Sequence, residues 1–344
     1  MIYINLLIIF LVIIFIHELG HYTFARICKT TVTDFSIGFG KVLYWFKDKN
    51  NTNWKISLIP LGGYVKIKGL ESIFNNKINI DKDFDSFQNL NLFKKVIILL
   101  AGSFFNIISA WLILFSVLFF LGVVNFTPII GSVLEDSPAY HNDIKEGDLV
   151  VRVNKKNIKF FSDIASAISN SKRIKLEIIR NNDLLTKEFD LLFNEELGKY
   201  IIGITSNSNP EINKYALWSS LKQSMIFIPT YYVESYKYLT LSYKKNTLSQ
   251  ELAGPIGIVK MADKLMLNKI KGVLFIFISI SLFVGLFNLL PIPLLDGGHI
   301  VYFIIRTIFS DALPTFVTRV YLITGITIIS FLFLIITFND IFYK

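Results

Sequence analysis

His17-Glu18-Leu19-Gly20-His21 sets two imidazoles four residues apart with a carboxylate between them. On a helix that spacing puts both rings on one face, where both reach a single Zn²⁺ while the glutamate stands beside the water on the metal. The run Ile2–Ile16 just before it is almost wholly apolar. Two histidines and a glutamate at the end of a membrane helix are costly there, and such groups are functional by default.

A catalytic zinc takes three protein ligands and keeps a fourth position open, so one more side chain must come from elsewhere in the chain. The third long apolar run supplies a candidate in Asn288-Leu289-Leu290-Pro291-Ile292-Pro293-Leu294-Leu295-Asp296-Gly297-Gly298. Two prolines and two glycines break the helix around one carboxylate, Asp296. Unwound backbone at membrane depth has amide groups that need partners, which marks a site. Taken alone, Asp296 has the lesser alternative of capping a helix end; beside the His17–His21 pair it reads as the third ligand.

The elements that must position these groups are membrane helices. Of 344 residues, 53% are hydrophobic, and mean hydropathy is +0.52. Four apolar stretches, Ile2–Ile16, Val96–Leu134, Gly272–Leu295 and Tyr321–Asn339, predict about four transmembrane helices. The first has no basic leader and no small-residue cleavage site, so it reads as a retained helix. Met1–Phe10 lacks Lys and Arg while Arg26–Lys95 is rich in both, which places the latter in the cytoplasm and the segment after the second helix outside. The formal charge of +9 is scattered over several loops, which suits lipid headgroups and not nucleic acid. Cys28 is the only cysteine, which excludes an internal disulfide and a thiolate cluster.

Four segments follow. Residues 1–125 form the first part of a membrane core, with a small membrane-associated β-sheet predicted in 34–69 by alternating residues and the breakers Gly38, Gly40, Pro60, Gly62 and Gly63. Residues 126–206 are soluble in character, with strands at Leu149–Val153 and Ile174–Ile179 around a helical run at Asp163–Ile168. Residues 207–271 hold one or two amphipathic surface helices interrupted at Pro229 and a linker, and 272–344 complete the core. A helical substrate hides its carbonyls, so it must unwind before cleavage. Trp54–Ile59 and Tyr64–Lys68 are candidate edge strands for it to join, with Ile56 and Val65 as the positions at which strand addition is tested.

At these motifs the chain resembles the site-2 protease family of intramembrane zinc metalloproteases over nearly its whole length. The resemblance rests on His17–His21, the motif from Asn288 to Asp296, Gly62-Gly63-Tyr64-Val65-Lys66 and Gly254-Pro255-Ile256-Gly257. It implies zinc on His17, His21 and Asp296, Glu18 as general base and acid, and Asn288, with Pro291, holding the substrate backbone. It also implies a structural or substrate-facing role for Asn106, hydrolysis within transmembrane segments of other proteins, such as anti-sigma factors or remnant signal peptides, and a bacterial inner-membrane location. Residues 128–205 resemble a PDZ domain, an inserted α+β module on the extracytoplasmic side. Its carboxylate-binding loop would be Pro128–Val133, for a peptide C-terminus. His141 and His299 match no ligand position. A metal or proton transporter would also carry ionisable residues in broken helices, but the third helix has no inverted counterpart. An inactive PDZ-bearing scaffold would be free to lose Glu18 or a ligand, and none is lost.

Overall fold

The computed structural model describes residues 2–70, 84–168, 171–195, 198–207, 210–245, 257–259, 269–309 and 314–342. The Gly254–Gly257 motif lies outside them apart from Gly257. Two compact units emerge: Met1–Ser116 with Lys222–Lys344, and Val117–Leu221 inserted between them in sequence.

In the first unit, α1 spans Ile2–Ile27. Its end is a Schellman turn with Lys29 at φ 62°, where Thr30 N–H donates to Ala25 O (2.9 Å) and Lys29 N–H to Arg26 O (3.0 Å). The chain then enters β1 (Val32–Lys47) and β2 (Asn53–Ile67), each long enough to be folded on itself. Asp34–Ile37 is flanked on both sides. Phe35 pairs with Val65 and Ile37 with Gly63 on one side, in antiparallel sense; Phe35 pairs with Trp54 and Ile37 with Ile56 on the other, where the numbers rise together. Residues 53–57 pair again with 42–47, as in Tyr44 with Ile56 and Lys47 with Asn53. The sheet therefore runs 63–67, 32–37, 53–59, 42–47, with Gly38 and Gly40 turning the chain at φ 86° and 82°.

Phe35, fully buried, stacks on Trp54 at 4.3 Å and meets Phe15 and Tyr22 of α1 edge-on. Asp48, at the sheet's turn, accepts from Tyr22 Oη (3.1 Å), Trp54 Nε1 (3.0 Å), Thr52 N (2.9 Å) and Asn50 N (2.8 Å). Desolvation works against ionisation there, but those donors outweigh it and hold the carboxyl below its ordinary range. The sheet is thus pinned to α1 one residue beyond His21.

Helix α2 (Leu92–Ser116) buries Ile98, Gly102, Asn106, Ala110 and Leu114, a stripe at four-residue spacing. Small residues in such a stripe let helices approach closely where lipid supplies no hydrophobic drive between them. A Cβ on Gly20 of α1 would collide with Ala101 O.

The second unit is built from short strands: β3 (Val123–Phe126), β4 (Ile130–Val133), the one-turn α3 (Pro138–His141), β5 (Leu149–Val153), β6 (Lys156–Asn157), α4 (Phe161–Ile168), β7 (Arg173–Arg180), β8 (Asp183–Asp190), β9 (Leu192–Asn194), β10 (Lys199–Ile201), β11 (Ile204–Ser206) and β12 (Pro210–Asn213). The largest sheet has the order β6-β5-β7-β8. Asn181 and Asn182, both at positive φ, make the two-residue β7–β8 turn that this sense of twist requires. Inward Val150, Val153, Ile174, Leu176 and Ile178 pack with Ile164 and Ile168 of α4 into one aliphatic core. Pairing of β3 with β12 makes the unit wider at both ends than 126–206. The run Pro128–Val133 is not an open anion-binding loop: β4 is paired with β11, and Ile130 N–H already donates to Asp148 O at 2.9 Å.

Helix α5 (Leu217–Lys244) is continuous through Pro229. Two of its tyrosines reach carbonyls of α6 (Lys269–Phe287): Tyr232 Oη donates to Leu282 O (3.0 Å) and Tyr231 Oη to Ser279 O (3.5 Å). A non-helical turn follows, then α7 (Asp296–Ile308) and α8 (Thr315–Phe342). Among the described residues four helices are long and apolar enough to cross a membrane, Tyr3–Ile27, Leu92–Leu121, Ile270–Phe287 and Phe316–Phe342.

Candidate metal centre

Four elements converge on the candidate site: α1, α2, the sheet edge at 63–67, and the turn between α6 and α7. The turn is held by its own backbone. Gly297 N–H donates to Asn288 O (2.7 Å), and added methyls at Gly297 and Gly298 would collide with Leu289 O and Ile292 O. Leu294 is forced to φ 77°, a conformation that costs a branched residue about 1–3 kcal/mol. Pro293 is pressed against α8, where a Cβ on Gly325 would lie 2.6 Å from the proline. This folding of the turn sets Asp296 at the first position of α7, facing α1.

His17 Nε2 lies 3.2 Å from His21 Nε2 and 3.2 Å from Asp296 Oδ2, and His21 Nε2 lies 3.4 Å from Asp296 Oδ1. All three side chains are largely buried, and Asp296 Oδ2 has no hydrogen-bond partner. Tetrahedral zinc with bonds near 2.0–2.2 Å needs ligand atoms roughly 3.3–3.6 Å apart. Two imidazole nitrogens 3.2 Å apart, each facing a different oxygen of one largely buried carboxylate at 3.2 and 3.4 Å, lie close to that spacing and fit such an ion. Among the described residues this is the one group of three His, Cys, Asp or Glu side chains placed to hold a metal.

The ligand rings also need room and orientation. His21 Nδ1–H donates to Ile98 O at 2.8 Å; a carbonyl only accepts, so the proton sits on Nδ1 and the lone pair on Nε2. Gly102, one turn on from Ile98, passes directly beneath the rings. A Cβ there would lie 2.5 Å from His21 Nε2 and 2.7 Å from His17 Cε1.

A cavity of about 430 Å³ opens beside the three groups, lined by Glu18, Asn288, Asp296 and His299 and by Gly62–Val65 of the sheet. The backbone of Val65 lies beside the Glu18 carboxylate, both lining the cavity. Val65 pairs with Phe35 on one side. Gly63 permits the approach, since its Cβ would lie 3.2 Å from Glu18 Cγ and 2.8 Å from Ser36 O. Asn288 Nδ2 lies 3.4 Å from His17 Nε2. Pro291 is in the turn, outside the cavity lining.

Two sequence expectations change here. Ile56 does not lie on an open edge, because its strand is paired with 34–37 on one side and 42–47 on the other; the edge next to Glu18 belongs to Val65. Asn106 is fully buried with its amide 3.3 Å from His17 Nδ1, behind the ring and not in the cavity. His299, which matches no ligand position, does line the cavity, while His141 belongs to the other unit. Gly102 and the Ile98 carbonyl were not singled out by their residue types. The four-residue spacing Ile98, Gly102, Asn106 is the signal that could have drawn attention to them.

Comparison with known proteins gives the family. The model of peptidase family M50 matches residues 5–332. A Helicobacter pylori protein is 33% identical, with 96% of each chain covered. A Rickettsia conorii protein is 32% identical, over 96% of this chain and 95% of its own, and one from Campylobacter jejuni 33% identical, over 96% and 90%. Each of the three is named "Putative zinc metalloprotease". Among solved structures, a PDZ domain of an SdrC-like protein from Listeria monocytogenes covers 23% of this chain and 84% of its own at 22% identity; its TM-score of 0.21 gives it no weight for the fold. The chain belongs to peptidase family M50.

Proposed function

We propose that this M50 peptidase is a site-2-type intramembrane zinc protease that hydrolyses peptide bonds in transmembrane segments of other membrane proteins. The observation that carries the reading is the convergence of His17, His21 and Asp296 at tetrahedral spacing beside Glu18, at the end of an apolar helix. His17, His21 and Asp296 would hold the zinc. When bound, zinc lowers the pKa of water and polarises the scissile carbonyl.

The remaining work falls to the chain's own groups. Glu18 takes the proton of the attacking water and returns it to the departing amide nitrogen. Asn288, with its amide at the edge of the ligand group, holds a substrate carbonyl near the reacting position. A substrate strand laid along residues 63–67 would pair with the edge that carries Val65 N–H, keeping the unwound segment extended beside Glu18. The sheet edge at residues 42–47 carries exposed Leu43, Tyr44, Trp45 and Phe46, side chains suited to a bilayer boundary. By the distribution of Lys and Arg the sheet is cytoplasmic and the inserted unit extracytoplasmic; the resemblance to site-2 proteases adds a bacterial inner membrane and a PDZ-like character for that unit.

The test is purified enzyme in detergent with a labelled transmembrane peptide. Glu18→Gln should retain zinc and lose activity by about 10²–10⁴-fold, since the amide keeps the size of the side chain but takes no proton. Asp296→Ala should lose zinc and activity together. Robust cleavage by Glu18→Gln, or full zinc in Asp296→Ala, would remove the residue from its role.

A further inference from the structure

His17 presents a problem that His21 does not. To bind a metal through Nε2, a neutral imidazole must carry its proton on Nδ1, and a buried Nδ1–H needs an acceptor. For His21 the acceptor is the Ile98 carbonyl, which can play no other part. For His17 the group at that position is the side-chain amide of Asn106, with its nitrogen 3.3 Å from Nδ1. In this orientation two donors would meet if Nδ1 were protonated. At the same time Asn106 Oδ1, on a fully buried residue, has no hydrogen-bond partner.

Half a turn about the Cβ–Cγ bond exchanges the two ends of an amide with almost no change in shape. It brings Oδ1, the end that lacks a partner, onto Nδ1–H. We propose that Asn106 is the positioning residue that sets the metal-binding tautomer of His17, through an Nδ1–H···Oδ1 hydrogen bond formed when the metal is bound. The proposal rests on the reading of His17, His21 and Asp296 as the zinc ligands.

The rest of α2 supports the assignment. Asn106 lies eight residues, two turns, from Ile98, and His17 lies one turn before His21 on α1, so one buried stripe of α2 meets both rings in order. Gly102, midway along that stripe, leaves the space in which the rings sit. The backbone of Asn106 is itself fixed: Ser281 Oγ of α6 and Ser109 Oγ both donate to its carbonyl, at 2.9 Å each. A side chain held in this way orients a ring with little loss of freedom on binding.

Zinc affinity of the full-length enzyme in detergent, measured by competition with a chelator, tests the proposal. Asn106→Leu keeps the volume and removes the acceptor; it should bind zinc about 10–100-fold more weakly. Asn106→Asp restores an acceptor and should recover at least the affinity of the unmodified chain. With Co²⁺ in place of Zn²⁺, the visible bands of Asn106→Leu should shift and those of Asn106→Asp should stay close to the unmodified enzyme. Equal zinc affinity for Asn106→Leu and the unmodified chain would overturn the assignment. So would weak binding by both variants, which would reduce Asn106 to a packing residue. His17→Ala separates this failure from failure of the underlying reading: if it too retains zinc, the metal is held elsewhere and both fall.

Discussion

The aliphatic core of the inserted unit and the surroundings of the metal centre are packed in different ways. In Val117–Leu221 the core is made of bulk, with Ile130, Ile164, Ile174, Leu176 and Ile178 almost wholly buried. Around the metal centre the close contacts are made by missing side chains. Gly20 meets Ala101, Gly102 lies under two histidine rings, Gly297 and Gly298 meet carbonyls of the preceding turn, and Gly325 meets Pro293. In water, burying aliphatic surface stabilises by about 25 cal/mol per Å², so large side chains do the work. Between membrane helices that drive is absent, and backbone approach takes its place. The consequence is a local difference in sensitivity: the aliphatic core of the inserted unit suffers when a methyl is removed, and the glycine contacts around the metal centre suffer when one is added.

The largest expected effect is therefore from the smallest substitution. Gly102→Ala places a methyl 2.5 Å from His21 Nε2 and should abolish stoichiometric zinc binding while the protein remains folded. Normal zinc content by metal analysis would break the comparison. Next, proline separates the two sides of the sheet. Ile56→Pro removes a donor from a strand paired on both sides and should impair folding, whereas Val65→Pro should leave fold and zinc intact and cut cleavage of helical substrates by about tenfold or more. Peptides already loosened by glycine near the cut should suffer less. Equal losses for both peptides would argue against strand capture at this edge.

In the inserted unit, Leu176→Ala should destabilise by about 2–5 kcal/mol, because it empties part of a closed core. Denaturant unfolding should show the loss in that unit while zinc content stays unchanged; a matching fall in zinc would mean that the units are not independent. The smallest effect belongs to Gly147, whose Cβ would meet nothing within 4 Å but whose φ is 87°. Gly147→Ala should cost about 1 kcal/mol from backbone strain alone, far less than the same change at Gly102.

Much of the site was legible because its chemistry is local. His17, Glu18 and His21 sit within one and a half helical turns, so their relation is a property of the helix and needs no partner. The prolines and glycines around Asp296 announce a broken helix for the same reason. Alternation along 149–153 and 174–179 marks strands whose inner faces the structure buries.

What the tertiary structure alone decided is which partner each face meets. Residues 53–59 and 64–67 have the same alternating character, yet one is central and the other an edge, because the sheet folds back on both its long strands. The order of strands is set by which segments pair, Phe35 with both Trp54 and Val65, residues far enough apart in the chain that no local pattern links them. Gly102 and Asn106 look alike from the sequence, as small or polar interruptions of an apolar helix. Only the packing of α2 on α1 makes one the space for two imidazoles and the other the neighbour of His17. Periodicity encodes the direction in which a side chain points, and contact depends on what another helix brings to meet it.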